Sequence, residues 1–101
     1  MTPDRYRYVF LPHLPWEEIE LTFLLARIAA EGLHGAGGLH LDGGYALDAR
    51  TGTAVLDATT PVGRDLNRLF AGFLAREFGS DGFKVERLSQ GSSAATAPIR
   101  N

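Results

Sequence analysis

Cysteine is absent from the 101 residues. That removes disulfides, thiolate zinc sites, iron–sulfur clusters and thiol nucleophiles together, and it suits a reducing compartment, so the expected location is the cytoplasm. Charge of one sign is also lacking. Ten basic and twelve acidic residues leave a net charge of −2, which is not the field of a non-specific nucleic-acid or membrane binder. The longest apolar-rich stretch, Ile19 to Ala30, is broken by Glu20, Thr22 and Arg27 and is too short and too polar to span a bilayer. Met1-Thr2-Pro3-Asp4-Arg5 has no basic region leading into an apolar core, so no secretory signal is expected. Serines stand only at Ser80, Ser89, Ser92 and Ser93, none in a nucleophile-elbow context. No internal repeat is evident.

What remains is the composition of one globular domain, with 45% apolar and 22% charged residues. Arg5 to Leu11 alternates and is rich in aromatic and β-branched residues, which predicts a first strand ended by Pro12 and Pro15. Pro15 suits a first helical turn, and Glu17, Glu18 and Glu20 favour the positive end of a helix dipole. This first helix is expected from about Pro15 to Leu33, stopping near Gly32 or Gly35. A glycine-rich connection, 35–44, leads into Leu39–Asp42 and Tyr45–Asp48, read as one strand interrupted at Gly43-Gly44. Gly52 closes a hairpin with Thr53–Ala58. Thr60-Pro61 marks the start of a second helix, in which Val62, Leu66, Leu69, Phe70, Phe73, Leu74 and Phe78 recur at helical spacing. Gly79 stops it, and Phe83–Leu88 alternates as the last strand.

The order is therefore βαββαβ. It predicts an α+β fold of ferredoxin-like type, a two-layer sandwich with a four-stranded antiparallel sheet and two helices on one face. The domain is expected over residues 1–88, with 89–101 as a flexible Ser/Ala-rich tail.

The first helix carries more apolar surface than one sheet contact requires. At 3.6 residues per turn, Leu21, Leu24, Leu25 and Ile28 share one side, while Ile19, Phe23, Ala26, Ala30 and Leu33 share another. One stripe must cover the sheet; the other either meets the second helix or is a docking surface. The second stripe, through Ile19, Phe23, Ala30 and Leu33, is the expected protein interface, joined by Tyr6 and Tyr8 of the first strand. The expected partner is a second copy, as a homodimer, or another protein.

Chemical constellations are sparse. Tyr6, Tyr8 and Phe10 between Arg5 and Arg7 have the look of a base-stacking platform, and RNA-recognition modules share the βαββαβ order. Their third strand carries a basic and aromatic signature, whereas Thr53–Ala58 has neither, so nucleic-acid binding is not expected. Acylphosphatases have this length and order, but Leu11-Pro12-His13-Leu14-Pro15 stands where their phosphate loop belongs. His34, His40, Asp42, Asp48 and Asp57 lack metal-ligand spacing, so no metal and no cofactor is expected. The start of the second helix, with Thr60, Gly63 and Arg64, is the candidate anion site. The expected class is a non-enzymatic interaction or regulatory module. The alternative is a small ligand-binding protein or enzyme with a site between the glycine-rich loop, His13 or His40, and the start of the second helix.

Overall fold

The computed structural model describes residues 4–35 and 44–89. Its elements are β1 (Asp4–Phe10), α1 (Trp16–His34), β2 (Tyr45–Asp48), β3 (Thr53–Asp57), α2 (Pro61–Phe78), a 3₁₀ turn (Ser80–Gly82) and β4 (Phe83–Ser89). The strands form one antiparallel sheet in the order β2-β3-β1-β4. This is the ferredoxin-like two-layer α+β arrangement expected from the chain. The glycine-rich stretch 36–43, with His40 and Asp42, and the tail 90–101 lie outside the described residues. Ser89, expected to begin the tail, is instead the last residue of β4, opposite Asp4.

Each element ends for a local reason. The α1 chain stops at Gly35, whose φ of 85° and N–H bond to the Glu31 carbonyl close the last turn. Thr60 caps α2, its hydroxyl accepting from the Gly63 N–H at 3.1 Å, with Pro61 in the first turn. The β2–β3 hairpin turns on Gly52 (φ 66°), and the Asp48 carboxylate accepts from the Arg50 N–H at 3.0 Å. Gly52 also returns its carbonyl to the Phe10 N–H at 3.0 Å, tying the hairpin to the central strand.

The period of two in β1 sorts its side chains cleanly. Tyr6, Tyr8 and Phe10 point toward the helices, while Arg5 and Arg7 lie on the open face, where Arg7 pairs with Glu86 of β4 at 2.8 Å. The core sits between sheet and helices around Tyr8, Phe10, Ile19, Phe23, Leu56, Leu66, Phe70 and Leu74. Phe70 is its hub, with ring centroids 5.0 Å from Tyr8 and 5.1 Å from Phe23, both in tilted or edge-on geometry.

Candidate interaction surface

The side of α1 turned away from the sheet is apolar. Leu21, Leu24, Leu25 and Ile28 are 51%, 47%, 51% and 55% exposed. They follow the spacing i, i+3, i+4, i+7 and form one continuous ridge. On one flank of the ridge a groove of about 380 Å³ runs between the helices, lined by Thr22, Leu25, Ile28, Ala29, Phe73 and Arg76 among others. On the other flank a second groove, about 430 Å³, separates α1 from β2 and is lined by Glu20, Phe23, Leu24, Arg27, Tyr45 and Leu47 together with Ala46.

The expected interface is corrected on this point. Ile19, Phe23 and Ala30 are buried in the core of the single chain, together with Ala26. Of that stripe only Leu33, near the C-terminal end of α1, is exposed. The physical reason is fit. Ala26 and Ala30 leave room for α1 to descend onto the sheet, where Ala54 is equally small, and Phe23 fills the space to Phe70 and Tyr45. A row of leucines reads as core on burial preference alone, so the bulkier stripe draws the eye although the mixed Ala/Phe stripe matches the sheet. Thr22 belongs to the buried side too, its hydroxyl donating to the Glu18 carbonyl at 2.8 Å.

Tyr6 and Tyr8 are likewise on the covered face. Tyr8 is wholly buried, and its hydroxyl donates to the side-chain and backbone oxygens of Asn67 on α2. Helices therefore occupy the side on which a base-stacking platform would have to be free. The open face presents Arg5 and Arg7 beside Val55, Lys84 and Glu86.

At the start of α2, two of the N–H groups that an anion would use have partners. Gly63 donates to the Thr60 hydroxyl and Arg64 to the Thr60 carbonyl at 2.9 Å. The neighbouring Asp57 carboxylate accepts from the Thr59 N–H at 2.8 Å and brings negative charge to the same turn. Thr60 thus acts as a helix cap, and Thr60→Ala is expected to lower stability by about 1 kcal/mol in urea denaturation. An unchanged midpoint would show that the cap contributes nothing. His13 is exposed, and His34 lies 2.7 Å from Asp65, joining the end of α1 to the first turns of α2. Among the described residues no group of three His, Cys, Asp or Glu side chains converges as a metal site, and no helix is long and apolar enough to cross a membrane.

The residues that sequence reading passed over lie along the α1–β2 groove. Arg27 stacks over the Tyr45 ring at 5.3 Å, and its Nε is buried with no hydrogen-bond partner among the described residues. Phe23 packs on the other part of the same tyrosine, centroids 4.8 Å apart. The signal for them in the sequence is the polar edge that Glu20, Arg27 and Glu31 make along the helix. No family model, curated protein or solved structure gives a significant match to this chain, and its functional reading rests on this geometry.

Proposed function

We propose that this chain is a non-enzymatic interaction module that associates with a second copy of itself through the outward side of α1. One observation supports the reading above all. Leu21, Leu24, Leu25 and Ile28 stand about half in water on a helix whose other side already closes the core. Full burial of such a side chain is worth about 1.5–3 kcal/mol, so a partner that covers the ridge recovers a substantial part of that for each residue. The spacing i, i+3, i+4, i+7 is also palindromic. An antiparallel copy sets Leu21 against Ile28 and Leu24 against Leu25, the self-complementarity that a two-fold interface requires.

Size-exclusion chromatography with light scattering, run over a wide range of loading concentrations, tests this directly. The wild type should approach twice the chain mass as concentration rises. Leu24→Glu combined with Ile28→Glu should return it to a monomer with an unaltered far-UV CD spectrum, because both side chains point away from the core. A wild type that stays monomeric at the highest concentration removes the proposal.

A further inference from the structure

The geometry points to a specific way for the two copies to meet: β2 pairs antiparallel with β2 of the second copy, and the two sheets become one. It takes self-association from the proposal above but seats it on the β2-side flank of α1, so that Leu24 enters the contact while Leu25 and Ile28, which line the groove on the other flank, stay outside it.

The two edges of the sheet are built differently. Edge strands normally carry charge, proline or a bulge that discourages pairing with another chain. β4 follows that rule, with Lys84, Glu86 and Arg87 in its seven residues. β2 does not: Tyr45-Ala46-Leu47 is uncharged, and only Asp48 closes it. The Asp57 N–H bonds to the Gly44 carbonyl at 2.8 Å, and Tyr45 stands opposite Leu56. Because hydrogen-bonded and non-bonded pairs alternate in an antiparallel ladder, Tyr45 and Leu47 turn their N–H and C=O groups to the outer edge. A second β2 in antiparallel register, with Tyr45 opposite Leu47 and the axis at Ala46, satisfies all four groups on each strand.

The same axis brings the first helices together. α1 covers the half of the sheet that ends in β2, since both Phe23 and Arg27 sit on Tyr45. Strands are about 4.8 Å apart, so a helix centred over two strands lies about 10 Å from its copy across the new edge. That is close to the usual 8–10 Å packing distance of helices.

Glu20 and Arg27 offer this arrangement a charge pairing. Glu20, Leu24 and Arg27 lie along the flank of α1 that would face the copy, and all three line the groove above β2. Run antiparallel, Leu24 meets Leu24, and each Glu20 meets the other copy's Arg27. Among the described residues neither Glu20 nor Arg27 has an ion-pair partner within the chain. Arg27 is already held in place by Tyr45 with an unsatisfied Nε. A carboxylate from a second copy meets the outer part of that guanidinium, which carries the charge.

Charge reversal is the test, read as the dimer dissociation constant by sedimentation or dilution light scattering, with far-UV CD as the check on folding. Glu20→Arg and Arg27→Glu should each weaken the dimer by about tenfold or more, because like charges then face each other twice. The double variant should recover most of the loss, since the pair is restored in reverse. Glu20 is exposed, so Glu20→Arg remains informative even if Arg27→Glu disturbs the tyrosine stack. A dimer indifferent to these changes, or a double variant no tighter than the singles, overturns the edge-to-edge pairing while leaving association through α1 standing. A strictly monomeric wild type removes both.

Discussion

Gly63→Ala is expected to remove more than half of the domain's stability. Gly63 is buried in the first turn of α2, where the helix starts directly over the end of β3. A Cβ built there would fall inside the van der Waals envelope of the Asp57 carbonyl oxygen, with the Asp57 carbonyl carbon at 3.2 Å and the Thr60 hydroxyl at 3.3 Å. Both principal obstacles are backbone atoms, which cannot rotate aside as the end of a side chain can. Relief requires α2 to lift from β3, and that costs the cap at Thr60 and the seating of Val62 and Leu66 in the core. Overpacking of this kind costs about 3 kcal/mol or more, against a total stability on the order of 5 kcal/mol for a domain this small. Gly72→Ala is the control, because open space surrounds Gly72 on the same helix and alanine is the better helix former. Urea titration of both variants decides the matter, and a Gly63→Ala midpoint equal to wild type would refute the close approach.

Tyr8 should show the second large effect. It stands at the centre of β1, paired to Ala54 on one side and Val85 on the other, and no part of it reaches solvent. Tyr8→Ala should cost about 3–5 kcal/mol through the cavity it leaves against Phe70 and Phe83. Tyr8→Phe keeps the ring and isolates the hydroxyl, whose loss strands the Asn67 oxygens for about 1–2 kcal/mol. The same hydroxyl makes the fold sensitive to alkali. Burial first, and the nearby Tyr6 second, push the Tyr8 phenol well above the usual range. The unfolded chain releases that proton near pH ~10, while the folded chain retains it. The unfolded state therefore binds fewer protons above that pH, so stability is fully present below it and falls as pH rises further. Melting temperatures taken from neutral to strongly alkaline pH should drop for the wild type and less steeply for Tyr8→Phe. Parallel curves would show that another group controls the alkaline limit.

The topology was legible in the chain because its punctuation is strong. Thr60-Pro61, Gly79, Gly52 and the Pro12–Pro15 break each act within a few residues, and the observed boundaries fall on them. The hydrophobic stripe of α2 was equally plain, since only one side of that helix is apolar. The surface was harder to read. In α1 two apolar sides compete, and the choice between them depends on clearance to the sheet, which Ala54 sets from a strand more than twenty residues away. Local sequence contains no term for that distance, so spacing alone does not tell the stripe of Ile19, Phe23 and Ala30, which packing buries, from that of Leu21, Leu24, Leu25 and Ile28, which stays half exposed. The β1 aromatics suffered the same ambiguity: alternation fixes that Tyr6, Tyr8 and Phe10 share a face, and only the position of the helices says which one. Gly63 as a point of contact was invisible for a similar reason, since its neighbour Asp57 belongs to the preceding strand and the loop between them could have taken many paths.

β1 pairs along its whole length with β4, far off in the sequence: Asp4 stands opposite Ser89, and the Arg87 side chain donates to the Asp4 carboxylate from 83 positions away. A chain that has not yet reached β4 therefore leaves one side of β1 unpaired, and Tyr8 and Phe10 stay without the Phe83 that packs beside them. Such long-separation pairing slows folding and prolongs the life of sticky partial structures. Chains truncated before Phe83 should accordingly behave as aggregation-prone fragments rather than as smaller versions of the domain, and the arrival of β4 becomes the event that commits the fold.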